Sequence, residues 1–430
     1  MTTSITKKFL KTLTKKSLMT ESKTFCIIPW IHLHTNPSGI ATPCCIAESC
    51  TKPEGVGNAR EQSLMEIVNS EPMNKLRTDM LNGVKNSECT KCYEHEEQGI
   101  QSFRTMSNRE FHEQYDSINA TKKDGSLSEF KMRYFDIRFN NICNFKCRTC
   151  GSGFSTMWEQ EDLKNKVWNA QVIPKNDNKE FLAEVVNQIP NMETAYFAGG
   201  EPLITEEHYI LLEEMIRSGN TGMKLRYNTN LSNLKFKDKD LLSLWKYFDR
   251  GVDVYASIDH YGERAEYIRH GTDWGVVESN FKLVKKTPYV RLQMNTVLSV
   301  FNILTIHEFY QYLYDNNMYS GKDSTYMLYN MSTPEFLACH ILPSDLKIKA
   351  KESLEKTLAF LKDKKFRAPH QKQIKDAIPW STSKDSWEQQ KMLFRSEVKR
   401  LDKIRGEDFK KTFPELAILL EPEYKRLWPV

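Results

Sequence analysis

The chain is sparing with the two residues that most often break regular structure. Eighteen glycines and sixteen prolines in 430 residues fall below an ordinary combined share of roughly 12%. That shortage excludes a collagen-like chain and a Pro/Gly-rich disordered one. Long apolar runs are missing too. No stretch approaches the roughly 18–20 apolar residues of a membrane-spanning helix, and the mean hydropathy is −0.58, so a soluble protein with no membrane partner is expected. No apolar signal-peptide core is present and no arginine precedes Arg60, which speaks against a secretory leader and an Arg-rich presequence. A cytoplasmic location is the expectation. Nor does one sign of charge dominate: 61 bases face 56 acids, a net charge of +5, too even a balance to argue for nucleic acid as a partner. The ten histidines form no His-x-x-x-His or comparable cluster.

What the chain has in excess is cysteine, at one end. Cys26, Cys44, Cys45, Cys50, Cys89, Cys92, Cys143, Cys147 and Cys150 all fall within the first 150 residues, and Cys339 stands alone beyond them. A disulfide scaffold is normally short and secreted. Spacings as tight as Cys89-x2-Cys92 and Cys143-x3-Cys147-x2-Cys150 point instead to metal or cluster ligation in a reducing compartment.

Residues 1–24 are basic and polar and read as a solvated N-terminus. Residues 25–115 form a Cys-rich module. Within it Phe25 to Leu33 reads as extended and Pro37-Ser38-Gly39 as a turn. Residues 61–81 read as a helix with Leu64, Ile67, Val68, Leu76 and Met80 on its apolar face and Pro72 interrupting it. The polar stretch 116–130, with Asp124-Gly125, reads as a linker.

Over 131–330 the chain changes character. Strand-like runs at 133–139, 193–198, 223–229, 251–258, 289–297 and 324–329 alternate with helical patterns at 155–168, 179–189, 206–218, 238–248, 276–286 and 303–316. Such alternation marks βα repeats and a parallel sheet. Six strands predict an α/β fold, a partial (β/α)6 barrel with its chemistry at the C-terminal strand ends. Residues 331–430 read as a helical C-terminal extension. Leu354, Leu358 and Leu361 share one helical face, and Phe413, Leu416, Leu419 and Leu420 a shorter one; its modest basic excess reads as a solvated surface.

Two motifs carry chemistry. Cys143-Asn144-Phe145-Lys146-Cys147-Arg148-Thr149-Cys150 follows the first barrel strand. Three thiolates on one short loop can each ligate an iron of a [4Fe–4S] cluster, leaving the fourth iron open to a chelating small molecule. A zinc knuckle or buried free thiols are the alternatives, although the loop offers no fourth ligand to close a structural zinc site. Gly199-Gly200-Glu201-Pro202 follows the second strand. Its glycines let the backbone come close to a ligand and take positive φ, and Pro202 suits entry into the next helix.

With CxxxCxxC after strand one and GGEP after strand two, residues 131–300 resemble the radical S-adenosylmethionine (SAM) enzymes. The resemblance implies that Cys143, Cys147 and Cys150 hold a [4Fe–4S] cluster and that the methionine amino and carboxylate groups of SAM chelate its open iron. Gly199, Gly200 and Glu201, with Pro202, then form the segment that meets the SAM ammonium. One electron, from a reduced flavodoxin- or ferredoxin-type donor, cleaves SAM to methionine and a 5′-deoxyadenosyl radical that abstracts a substrate hydrogen. Asn228-Thr229-Asn230 resembles the segment facing the SAM ribose and carboxylate, Ser257-Ile258-Asp259 stands where the family often has Ser-x-Asp, and Arg269 matches an arginine able to pair with the SAM carboxylate. The plain alternatives are a helix N-cap for Ser257 and Asp259 and a surface cation for Arg269. Thr149 departs from the aromatic residue often found before the third cysteine, which leaves the adenine contacts unassigned.

The spacing Cys26-x12-Gly39-x4-Cys44 resembles the opening of the SPASM/twitch module, which binds auxiliary iron–sulfur clusters in that family. By that resemblance Cys26, Cys44, Cys89 and Cys92 hold a second [4Fe–4S] cluster. Four thiolates suit a structural zinc equally, and Cys45 or Cys50 could replace Cys44. The module commonly follows the barrel; here it precedes it. The cysteines left over, Cys339 among them, default to small buried hydrophobes. His32 and His34 alternate near Cys26 and read as half-exposed, or as hydrogen-bond donors to that site. Members of the family with this module often modify peptides or proteins, so a peptide or protein substrate is expected by analogy alone. A radical SAM enzyme acting on a sugar, a small metabolite or a nucleic acid stays open, as does an iron–sulfur or zinc protein that binds a partner without radical chemistry.

Overall fold

The six strands and six helices expected between 131 and 330 all form, the strands with ends displaced by two residues at most. The computed structural model describes residues 18, 20–167, 170, 172–174, 176–320 and 326–421. The basic segment 1–17 therefore lies outside the described residues, as do positions 324–325 of the last expected strand, 168 of the first expected helix and 422–430 of the C-terminal extension. The described residues pack as two units, one from Met1–Ile142, Ser152–Tyr227 and Ser243–Gly251, the other from Cys143–Gly151, Asn228–Leu242 and Val252–Val430.

The first unit opens with helix α1 (Ile28–Ile31) and strands β1 (His32–Thr35), β2 (Ile40–Thr42) and β3 (Gly57–Asn58). Phe25 to Leu33 is thus not extended throughout. Pro29 stands in the first turn of α1, where its fixed φ suits a helix and its missing N–H costs nothing. The single helix expected over 61–81 is two, α2 (Leu64–Val68) and α3 (Glu71–Leu81). Ser63 and Glu66 cap α2 reciprocally, and Pro72 starts α3 rather than interrupting a longer helix. Helices α4 (Thr90–Glu97) and α5 (Phe103–Glu110) complete the Cys-rich region.

The 116–130 segment is more than a connector. Leu127 and Phe130 are buried, and Gly125 takes φ +86°, where a Cβ would meet the Asn74 carbonyl oxygen at 2.2 Å. Fully buried Arg77 donates to the carbonyls of Gly125 (2.7 Å), Pro29 (3.0 Å) and Val68 (2.7 Å). One guanidinium ties three separate segments. Arg77→Met leaves those buried carbonyls without their donors and should cost about 3–5 kcal/mol, read as a lower midpoint in urea with an unchanged slope.

Strand β1 pairs in parallel with β4 (Tyr134–Ile137), β4 with β5 (Thr194–Phe197), and β5 with β6 (Lys224–Thr229), while β1, β2 and β3 pair antiparallel. The Cys-rich region therefore contributes a strand to the same sheet as the βα repeats, instead of standing apart over 25–115. Helices α6 (Thr156–Lys164), α7 (Lys179–Asn187) and α8 (Glu206–Arg217) alternate with these strands. On β4 the apolar Phe135 and Ile137 alternate with Tyr134 and Asp136, so one face is apolar core and the other polar. Phe135 meets Phe197 at 5.4 Å, and Phe197 stacks on Tyr227 at 5.0 Å. His32 and His34 are buried on β1, not half-exposed. His32 Nδ1 donates to the Tyr134 carbonyl and His34 Nδ1 lies 2.9 Å from Asp136, so each ring has a partner on β4. Burial pushes the His32 imidazole down to about 4, which leaves it neutral.

In the second unit β7 (Val252–Ser257), β8 (Val290–Leu298) and β9 (Tyr326–Asn330) pair in parallel. Helices α9 (Gly262–Ile268), α10 (Trp274–Lys285) and α11 (Ile306–Asp315) alternate with them, followed by α12 (Ser344–Asp363), α13 (Ala368–Thr382), α14 (Trp387–Arg405) and α15 (Phe409–Thr412). The C-terminal helices share this unit's core. The Phe413 ring meets Tyr267 at 5.1 Å and Phe301 at 5.7 Å, and Leu354, Leu361, Leu416, Leu419 and Leu420 are buried. A short ribbon pairs Lys146–Cys147 antiparallel with Arg269–His270. The fold is α/β with a predominantly parallel sheet, and among the described residues no helix is long and apolar enough to cross a membrane.

Candidate cluster and cofactor sites

Four cysteines of the first unit come from separate elements. Cys26 precedes α1, Cys44 follows β2, and Cys89 and Cys92 lie at the start of α4 and within it. The Ile28 N–H works to lower the pKa of Cys26, the Ile46 N–H that of Cys44, the Tyr93 hydroxyl that of Cys89, and the N–H groups of Phe103 and Arg104, in the first turn of α5, that of Cys92. The sulfurs also sense one another: Cys26 feels Cys89 and Cys92, and Cys44 feels Cys26 and Cys89. Burial pushes all four thiols up, Cys89 to about 12. Such thiols keep their protons until a metal takes the proton's place, and polar N–H and O–H groups nearby favour the thiolate in dry surroundings. The donor set fits an iron–sulfur cluster. Among the described residues no three His, Cys, Asp or Glu side chains crowd closely enough to hold a single metal ion; a four-iron cluster spreads its thiolates over separate irons.

Cys45 faces Asp136 and Arg138 instead. Cys50 is exposed, its thiol 3.2 Å from the Cys44 carbonyl and 3.4 Å from the Thr42 hydroxyl. Of this trio, Cys44 is the one whose ionisation Cys26 and Cys89 would oppose. Cys339 is fully buried.

Two residues here carry no mark in the sequence. Arg104, 4% exposed, donates to the carbonyls of Ser22 (2.9 Å) and Phe25 (2.8 Å) and to Glu96 (2.9 Å). One turn along α5, Asn108 accepts from the Ile27 N–H (2.9 Å) and donates to the Phe25 carbonyl (2.9 Å). The pair holds the backbone on either side of Cys26. Their four-residue spacing was the only clue, and a polar pair of that spacing is ordinarily a solvated helix face.

The second cysteine set lies on the Cys143–Gly151 loop of the other unit. Cys143 accepts from the Phe145 N–H at 3.5 Å, and the Cys150 thiol lies 3.8 Å from the Gly151 carbonyl oxygen, to which it donates. Buried Cys147 lies opposite Arg269 across the ribbon, with the guanidinium Nη1 3.8 Å from its sulfur. Burial pushes this thiol up to about 12, and the Arg269 charge works against that rise. Arg269 Nε in turn donates to Asp259 (2.8 Å), whose other oxygen accepts the Val297 N–H (2.8 Å).

Against the plain alternative of a surface cation, Arg269 is a largely buried charge placed beside Cys147. Asp259, at 1% exposure, is held in an ion pair with Arg269. Asn230, Ser257, Asp259 and Arg269 line one small pocket, with Phe145 and Trp274 among its walls. Asn230 also donates to the Asn144 side chain (3.0 Å), bracing the cluster loop. Asn228 is elsewhere, accepting from Asn295 at 3.2 Å.

The GGEP turn rests on the residue that leads into the cluster loop. Gly199 takes φ +127°, and a Cβ on Gly200 would lie 2.1 Å from the Ile142 carbonyl oxygen. The Glu201 N–H donates to that same oxygen at 2.8 Å. Gly200 is thus required by the chain's own backbone, a different reason from the expected approach of a ligand. The Glu201 carboxylate, 1% exposed, accepts from the Leu203 N–H (3.1 Å) and caps the turn Pro202–Ile204. Glu201 and Pro202 therefore shape the turn, and the bare backbone of Gly199 and Gly200 is what it can present.

Residues 26–93 match the SPASM family, an iron–sulfur cluster-binding domain. The matched span contains Cys26, Cys44, Cys89 and Cys92. No curated protein matches the sequence. Among solved structures the chain is similar to histidine-tagged anSMEcpe with bound AdoMet, at 16% identity and a TM-score of 0.37 over 53% of this chain and 60% of that one. It is also similar to Streptococcus suis SuiB bound to S-adenosylmethionine, at 12% identity and a TM-score of 0.33 over 68% of this chain and 62% of that one. The same protein bound to precursor peptide SuiA gives 13% identity and a TM-score of 0.32, over 58% and 54%. The chain spans less than two thirds of the length of each.

Proposed function

We propose that this chain, whose N-terminal region is a SPASM iron–sulfur module, is a radical SAM enzyme. The Cys143–Cys150 loop carries the reading: three thiols, two of them with a hydrogen-bond donor, on a loop with no fourth cysteine. Four-iron clusters so held keep one iron for a small chelator. When bound, the cluster and SAM supply the reductive cleavage that yields a 5′-deoxyadenosyl radical for hydrogen abstraction.

The remaining work belongs to the chain. Cys143, Cys147 and Cys150 hold the irons. Arg269, its charge secured by Asp259, offsets negative charge at Cys147 and shares its pocket with Asn230 and Ser257, a donor set suited to a carboxylate. Gly199 and Gly200 offer bare backbone to an ammonium group. Cys26, Cys44, Cys89 and Cys92 hold the auxiliary cluster of the SPASM module. On the strength of that module we assign a peptide or protein as the substrate class, with a reduced flavodoxin- or ferredoxin-type protein as electron donor.

Anaerobically reconstituted protein should bind about eight irons and, reduced with dithionite in the presence of SAM, release 5′-deoxyadenosine. A full complement of iron with no 5′-deoxyadenosine overturns the reading. Cys92→Ala should lose about four irons yet retain uncoupled SAM cleavage. Unchanged iron together with lost zinc in that variant would put zinc, not a cluster, at the SPASM site.

A further inference from the structure

The C-terminal helices have no part in the chemistry above, yet they reach the catalytic loop. Arg148, between Cys147 and Cys150, is 4% exposed. Its Nη2 lies 2.6 Å from Asp402 and 2.5 Å from Glu407. Its Nε donates to the Tyr267 carbonyl at 3.2 Å, and the guanidinium carbon lies 3.7 Å from the centroid of the Tyr267 ring. The Tyr267 hydroxyl donates to the same Asp402 oxygen at 2.7 Å, while the second Asp402 oxygen accepts the Phe409 N–H at 2.8 Å. The second oxygen of Glu407 takes His270 Nδ1 at 2.6 Å.

These contacts converge on one corner of the chain. Helix α14 ends at Gly406, in the left-handed conformation that glycine adopts freely, and Asp402 and Glu407 flank that turn. From there the two carboxylates hold both strands of the ribbon. Arg148 neighbours Cys147 on one strand, and His270 neighbours Arg269 on the other. A buried arginine with two carboxylates is costly to desolvate, and apolar residues of similar volume often serve stability as well or better. What the charge and the separate Nε and Nη2 donors of a planar guanidinium add is a fixed position. The groups they fix are the thiol and the cation that face each other at the catalytic site.

We propose that the Asp402–Glu407 corner positions the catalytic cluster loop, with Arg148 as the positioning residue. Retention of iron and binding of SAM at Cys143–Cys150 then depend on side chains 254 and 259 positions downstream of Arg148. The proposal rests on the assignment of Cys143, Cys147 and Cys150 as cluster ligands.

The test compares reconstituted wild-type protein with Arg148→Met, Arg148→Lys and the double variant Asp402→Asn/Glu407→Gln. Iron content, the dissociation constant of SAM, and the electron paramagnetic resonance signal of the reduced cluster with and without SAM are measured in each. A triple variant of Cys143, Cys147 and Cys150 to alanine gives the iron held by the SPASM site alone. Arg148→Met and the double variant should keep that SPASM iron and lose most of the rest. Arg148→Lys, which keeps the charge without the planar guanidinium, should recover iron but bind SAM about 10–100-fold more weakly, with an altered SAM-induced signal. Full iron with wild-type SAM affinity and signal in the double variant overturns the proposal. Should that variant fail to fold, the same wild-type behaviour in Arg148→Lys overturns it. If wild-type protein holds no more iron than the triple variant, the cluster assignment is what fails, and the positioning role falls with it.

Discussion

If the chain is the radical SAM enzyme proposed above, Cys147→Ala should abolish 5′-deoxyadenosine release and lower bound iron from about eight to about four. Of the three loop thiols, Cys147 is the buried one, and it has a cation of its own opposite, Arg269 at 3.8 Å. Removing the sulfur takes away a ligand that water is poorly placed to replace, and it leaves the Arg269 charge facing a void. Two cysteines then remain for a cluster that needs three from this loop. The SPASM site, whose ligands come from other elements, keeps its iron. Cys339→Ala is the matched control, a buried cysteine whose loss should change neither iron nor SAM cleavage. Iron and sulfide assays with chromatography of the nucleoside product decide the matter, and eight irons retained in Cys147→Ala would sink the assignment.

Gly200→Ala should be nearly as damaging, for a steric reason. The new Cβ would stand 2.1 Å from the Ile142 oxygen, 2.7 Å from its carbonyl carbon and 2.9 Å from the Asn141 carbonyl carbon. All three are backbone atoms, so no side-chain rotation relieves the overlap. Either the GGEP turn lifts away, breaking the Glu201 N–H bond to Ile142, or Ile142 moves and carries its neighbour Cys143 along. A loss of about 3 kcal/mol or more is expected, with SAM cleavage reduced at least about 100-fold, roughly 2.7 kcal/mol of barrier. Gly199→Ala makes the contrast. There the Cβ meets only the aliphatic stem of Arg138 at 3.5 Å, and the cost is that of holding φ +127°, about 1–3 kcal/mol. Melting curves and product release measured side by side test this ordering, and equal damage from the two variants would refute the steric account.

Much of this was legible in the chain. Strand and helix periodicities alternate cleanly from 131 onward, and hydrophobic spacing is a local property that survives without tertiary information. Cysteine spacing carried as well, because ligands on one short loop must be close in sequence. What could not be read is where charge is buried. Arg148, Asp402 and Glu407 look like ordinary surface residues, and only the packing of α14 shows that they meet. Asp259 and Arg269 read as two separate positions for one cofactor and turn out to grip each other. Pro72 misled for a related reason: it opens a helix, and a helix start differs from a helix break only in what precedes the residue. The join of β1 to β4 was hidden because a parallel partner about a hundred residues distant leaves no local trace.

That join has a consequence for the order in which the molecule is made. His32 and Tyr134 face each other across 102 residues, a long loop whose closure is slow for a growing chain. Synthesis proceeds from the N-terminus, so β1 and its antiparallel neighbours have left the ribosome before β4 emerges. The first strand of the βα series thus meets a partner already formed instead of waiting as an open edge. A chain started at residue 131 would lack that partner and carry β4 as an uncovered apolar-backed edge, the kind of surface on which sheets pair with the wrong neighbour.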